Sequence, residues 1–233
     1  MGVKAISTLQ EIWNGFDFSR LQEIFMRVIP ALLCITLHEL SHGYVAYRLG
    51  DDTAKNMGRL TLNPIKHLDP MGLLMMVIFG FGYAKPVPIN MMKFEKPKQG
   101  MAITALAGPL SNVVISAVFL FLYGLFFPLL LPLGEAGLVG IEMLSATAQL
   151  SLAMAIFNIL PIPPLDGSKV LFSLLPEEHY WQLMRYERYG MLALLVLMYF
   201  GVLDGPLTWL LQGGISLLRP LMHWGFRLGN LIF

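Results

Sequence analysis

Long apolar runs separated by short polar segments set the layout of this 233-residue chain. From Val28 to Tyr47 the only charged residue is Glu39, and Arg27 and Arg48 bracket the run. Twenty helical residues cover about 30 Å, which matches the hydrocarbon core of a bilayer. Ser19 and Gln22 have the spacing of a capping box, so a helix is predicted to start near residue 20, with Pro30 kinking or restarting it. A second apolar run covers Met101 to Leu133, "GEAG" interrupts it, and a third covers Leu138 to Leu160. That pattern predicts two helices joined by a tight hairpin. The third run must end at "NILPIPPLDG", where Pro161, Pro163 and Pro164 remove donors and clash with helical geometry.

The segments between the runs predict smaller elements. Residues 48 to 70 are polar and rich in turn formers, and read as an exposed loop. Residues 71 to 82, "MGLLMMVIFGFG", are apolar but too short to span, which suggests a re-entrant or interfacial element. In "YAKPVPIN", Pro86 and Pro88 alternate with β-formers, a pattern that suits an edge strand. Beyond a charged loop, the run Tyr189 to Val202 stops at Asp204-Gly205-Pro206. Arg219, His223 and Arg227 then recur every four residues, as on an amphipathic helix lying on a membrane. The predicted fold class is all-α, a polytopic transmembrane helix bundle with a small membrane-associated β-hairpin or re-entrant element. Residues 1–233 are expected to form a single integral-membrane domain. Its core helices are expected at about 28–49, 101–133 and 138–160, and C-terminal helices at about 189–203 and 215–230.

Composition supports lipid as the solvent. Apolar residues make up 56% of the chain and charged ones 13%, about half the charged share of a soluble domain, and the mean hydropathy is +0.64. The first twenty residues lack the apolar stretch of a cleavable signal peptide. A net charge of +1 gives no ground for a nucleic-acid partner. Cys34 is the single cysteine, so no disulfide can form within the chain. Most of the sixteen Lys and Arg fall in residues 48–98 and 169–188, and "GEAG" has none. By the positive-inside rule both of those segments face the cytoplasm.

The first run also carries chemistry. His38, Glu39 and His42 form HExxH within a predicted spanning helix. Residues i and i+4 stack on one helical face, so the two imidazoles can share a metal ion while Glu39 reaches a water beside it. An unpaired ionisable group in hydrocarbon costs about 2.5 to 3.5 kcal/mol or more, and three cluster here. Zinc in a catalytic site takes three protein ligands and a water. Candidates for the third ligand are His67, Asp69, Asp166, His179 and Asp204. Asp166 is the best placed, because irregular backbone at membrane depth survives only where protein buries it or a cavity is wet. The same aspartate serves equally well as an N-cap for the helix that follows.

HExxH in a membrane helix, "GPLSN" at 108–112 and "NILPIPPLDG" downstream together resemble the site-2 protease family of intramembrane zinc metalloproteases. The resemblance is to its compact bacterial and archaeal branch, because residues 48–100 and 161–188 are too short to hold an inserted PDZ-type domain. It covers about residues 30 to 175. It implies one Zn²⁺ per chain bound by His38, His42 and Asp166, with Glu39 as catalytic base and Asn158 lining the site as an oxyanion or substrate contact. Gly108, Pro109 and Asn112 match the middle-helix motif, as support for the site or as ordinary small-residue packing. "AKPVPIN" resembles the family's strand-forming insertion, which pairs with an unwound substrate. His67 also looks family-like, although a lone loop histidine is more often structural. The implied function is hydrolysis of peptide bonds in or near transmembrane segments of membrane-protein substrates. The implied location is a prokaryotic cytoplasmic membrane with the active site toward the cytoplasm. The competing reading is a metal-binding scaffold or transporter without proteolysis. The oligomeric state is left open.

Overall fold

In the computed structural model of the chain, which describes residues 18–72, 85–185 and 187–233, the first apolar run forms one helix, α1 (Phe18–Arg48), with Pro30 inside it. A short helix α2 (Thr53–Asn56) and a 3-10 turn at Pro64–Lys66 follow within the polar loop. The second run forms α3 (Pro97–Leu130), which starts on a proline at its first position, where the missing N–H is no loss. Gly134 turns the chain with φ +66°, and α4 (Glu135–Asn158) returns. This turn is close enough that a side chain at Gly137 would collide with the backbone of Leu130. After the prolines come α5 (Asp166–Ser173), α6 (Glu177–Arg185), α7 (Glu187–Tyr199) and α8 (Asp204–Ile232).

Three of these helices are long and apolar enough to cross a membrane, over Ile24–Arg48, Pro97–Leu133 and Glu135–Asn158. A further pair, Tyr189–Tyr199 and Asp204–Ile232, passes the same test together but is bent by 87°. The bend follows from Gly201, whose φ of +66° lies in the left-handed region that ends helices. Asp204-Gly205-Pro206 therefore opens a helix as well as closing a run, with an acidic residue at the positive end of the helix dipole.

α3 is the hub of the bundle and packs against α1, α4, α5 and α8. Helix pairs in lipid gain little from apolar burial alone and rely on close backbone approach. Gly225 and Gly229 of α8 supply it: a side chain at either would strike the backbone of Phe121 or Leu125. α8 thus lies against α3, and Gly214 brings it up to Leu152 of α4. Small polar residues line the interior, where Ser151 Oγ donates to the carbonyl of Asn112 at 2.8 Å.

The expected β-hairpin and edge strand are not borne out. No strand occurs among the described residues, and of the segment 71–82 only its first two residues are described. Residues 85–90 are extended, but side chains rather than a neighbouring strand make most of their backbone hydrogen bonds. Arg59 Nη2 donates to the carbonyls of Lys85 (2.7 Å) and Pro86 (3.3 Å). Glu39 accepts from Val87 N, and the fully buried Asp51 accepts from Asn90 N at 2.6 Å. Lys85 N donates to the carbonyl of His67. The prolines at 86 and 88 have no donor to offer, so their alternation with β-formers describes an extended tether as well as it describes an edge strand. On the exposed side of this tether the Lys93 ammonium, with help from Asn56, holds the Asp52 carboxyl below its usual range. The same pair raises Lys93.

Candidate metal centre

The HExxH turn places His38 and His42 one above the other on α1, with ring centroids 4.6 Å apart and planes at 87°. Both are buried, at 5% and 6% exposure, which removes them from lipid and from bulk water alike. Their Nε2 atoms lie 3.0 Å apart, and each is 3.2 Å from Oδ2 of Asp166. These are the chain's one cluster of three or more possible metal ligands among the described residues. Ligands around a tetrahedral zinc, with bonds of about 2.0 to 2.2 Å, stand about 3.3 to 3.5 Å from one another. Two imidazoles and a carboxylate at separations of 3.0 to 3.2 Å therefore fit that ion in both chemistry and spacing.

Asp166 arrives through the proline break. Leu165, not Asp166, holds the N-cap position of α5, and it makes no side-chain cap bond. The carboxylate is free of capping duty and turns toward the histidines, while Lys169 Nζ stands 3.9 Å from its other oxygen. Gly167 permits the turn, because a side chain there would run into the carbonyls of Ile159 and Leu160 at the end of α4. α7 closes over the same break, with Gly190 set against Pro163.

α3 forms the back wall through residues 104, 108 and 112, one turn apart along a single face. The carbonyl of Thr104 accepts from Nδ1 of His42 at 2.7 Å. Gly108 sits against both imidazoles and leaves no room for a Cβ. Asn112, fully buried, has its carboxamide 3.1 Å from Nδ1 of His38. The order 104-to-42 and 112-to-38 shows that α3 runs antiparallel to α1 here.

Glu39 stands apart from the ligands, half-buried, with Oε2 accepting from Val87 N at 2.8 Å. Asn158 closes α4, and its Nδ2 donates to the carbonyl of Met154 at 3.0 Å. None of the hydrogen bonds among the described residues joins it to the three clustered side chains. The other candidate ligands are engaged elsewhere or exposed. His67 is fully buried with Nε2 on the carbonyl of Thr61, and Asp69 caps Met71 N and Gly72 N. His179 and Asp204 are exposed. Nothing in the sequence marks Thr104, Val87 or Arg59 as part of the site. The first two act through backbone atoms and carry no side-chain signal, and Arg59 meets the proline-rich segment only through the fold, 26 residues away in sequence.

Known proteins resemble this chain over most of its length. Residues 132–202 match the profile of peptidase family M50. The protein named "Putative zinc metalloprotease YwhC" of Bacillus subtilis is 42% identical over 171 residues, covering 73% of this chain and 78% of its own length. "Putative zinc metalloprotease Rip2" of Mycolicibacterium smegmatis is 32% identical over 75% of this chain and 67% of its own length. "Zinc metalloprotease MJ0392" of Methanocaldococcus jannaschii is 27% identical over 67% of this chain and 37% of its own length. No solved structure matches the chain at a significant level. Because the likeness to YwhC runs through most of both chains at 42% identity, this integral membrane protein belongs to peptidase family M50, the site-2 protease family.

Proposed function

We propose that the protein is an intramembrane zinc endopeptidase that cuts peptide bonds in or near the transmembrane segments of membrane-protein substrates. One zinc ion per chain is held by His38, His42 and Asp166. The convergence of those three side chains, two of them on the same turn as Glu39 in a helix long enough to span a bilayer, carries the proposal. When bound, zinc supplies a Lewis acid and lowers the pKa of a coordinated water toward 7.

The chain's own residues do the rest. Glu39 takes a proton from the attacking water and returns it to the leaving amine. Val87 N–H holds Oε2, which fixes the carboxylate and leaves Oε1 to receive the proton. Asn158 Nδ2 carries two protons, and Met154 O uses one. The second is available to the substrate carbonyl as negative charge grows on its oxygen. Burial of the imidazoles keeps the local dielectric low, so each of these interactions is stronger than in water. The Lys and Arg of the segment after α1 favour a cytoplasmic position for that end of the helix, in the cytoplasmic membrane.

The test is Glu39→Gln in cells that co-express a tagged single-span membrane protein. The substituted protein should keep its zinc and lose cleavage by about 10²- to 10⁴-fold, the usual contribution of a general base. Wild-type cleavage by Glu39→Gln would remove Glu39 from the mechanism. Absence of peptide product from a zinc-loaded wild type, across a panel of such substrates, would overturn the proteolytic reading itself.

A further inference from the structure

We propose that Asn112 is a positioning residue: by turning its side-chain oxygen toward His38 it fixes the imidazole with the proton on Nδ1 and a bare lone pair on Nε2. The inference rests on the reading that His38, His42 and Asp166 hold the metal.

The two histidines are backed by different kinds of group. His42 Nδ1 faces the backbone carbonyl of Thr104 at 2.7 Å, an atom that can only accept. Its Nδ1 must carry the proton, so its Nε2 is free to bind a cation. His38 Nδ1 faces the carboxamide of Asn112 at 3.1 Å, and a carboxamide can donate from one end and accept at the other. With the nitrogen toward His38, Nδ1 accepts and the ring proton sits on Nε2. There it points at Asp166 Oδ2, 3.2 Å away, and His38 has no lone pair to offer a metal. A half-turn of the carboxamide exchanges two atoms of nearly equal size. Oδ1 then accepts from Nδ1–H, and both Nε2 lone pairs face the space shared with Asp166.

Burial makes this choice matter. Asn112 is fully buried, and in the nitrogen-first orientation its Oδ1 has no hydrogen-bond partner. After the half-turn the NH₂ group occupies that unpartnered position instead. Each orientation therefore leaves one polar group unmet, and intrinsic preference between them is small. Metal binding decides the balance, because only the oxygen-first orientation is compatible with a ligating Nε2. Asn112 is held ready for it by α4, through Ser151 Oγ on its backbone carbonyl. A partner that donates or accepts according to the state of the site is a use that leucine could not fill. Outer partners of metal-bound histidine typically account for 10- to 100-fold in metal affinity.

The experiment measures zinc affinity by chelator competition on the full chain in detergent, with metal-free thermal unfolding as a check on folding. The variants are Asn112→Leu, which keeps the size and loses the acceptor, and Asn112→Asp, which offers an acceptor from either oxygen. Leu should weaken zinc binding 10- to 100-fold, and Asp should bind at least as tightly as wild type. Equal affinity in Asn112→Leu and wild type would overturn the role of Asn112 while leaving the metal site intact. A loss in Asn112→Asp as large as in Asn112→Leu would overturn it too. A wild type that binds no zinc would overturn the metal reading, and this inference with it.

Discussion

Gly108→Ala adds one methyl group at the point where α3 passes the metal centre. The new Cβ would lie 2.5 Å from Cε1 of both His38 and His42. Carbon atoms pack best at about 3.5 to 4.0 Å, so relief requires a relative shift of about 1 Å. The donor atoms are 3.0 to 3.2 Å apart, and a zinc–nitrogen bond is about 2.0 to 2.1 Å. A shift of about half a bond length cannot be shared among three ligands without loosening at least one. Overpacking in a filled interior costs about 1 to 3 kcal/mol. If the site absorbs it all, zinc affinity falls by roughly 5- to 150-fold, at about 1.4 kcal/mol per tenfold. The helix itself is not weakened, because alanine is favoured over glycine by about 1 kcal/mol in a helix interior. The variant should therefore bind zinc poorly while its metal-free form unfolds within a few degrees of wild type. Gly213→Ala in α8 is the control, with the same gain in propensity and nothing beyond its own helix backbone within 4 Å of the added Cβ. Chelator competition and elemental analysis on the three proteins give the answer. Wild-type zinc affinity in Gly108→Ala would refute the claim that α3 is pressed against the two imidazoles.

Two further outcomes follow from the same contacts. Arg59→Met removes the guanidinium that ties down the carbonyls of Lys85 and Pro86, and so frees the segment that holds Glu39 through Val87 N. A charged hydrogen bond is worth about 1.5 to 3 kcal/mol, so cleavage should fall by roughly tenfold to a hundredfold while zinc content is unchanged; equal cleavage would show that the tether is idle. Gly225→Leu places a side chain against the backbone of Phe121 and Leu125 and should separate α8 from α3. Its thermal midpoint in detergent should drop, by about 1 to 3 kcal/mol of stability, and an unchanged midpoint would count against close packing of the two helices.

Much of the bundle was legible in the chain because hydrocarbon imposes a simple rule. Backbone groups must be satisfied within the segment, so a long apolar run has to be a helix, and three prolines have to end one. The His38 and His42 pair was equally local, since four residues make one turn. Asp166 could be narrowed to a cap or a ligand but not decided, because that depends on which way a loop carboxylate faces. The edge-strand expectation over residues 85–90 failed for a related reason. Extended backbone is a local property, whereas a strand requires a neighbour, and here Arg59, Glu39 and Asp51 supplied most of the hydrogen bonds from elsewhere in the chain.

The sequence by itself determined that the chain is a membrane helix bundle with two imidazoles and a carboxylate on a single helical turn. Those features rest on interactions between residues at most a few positions apart. Only the tertiary structure decided that Asp166 meets the imidazoles and that Thr104, Gly108 and Asn112 back them. It also decided that Val87 N holds Glu39. Each of these depends on how one element crosses another, and in lipid that crossing is set by the few places where glycine lets two backbones touch.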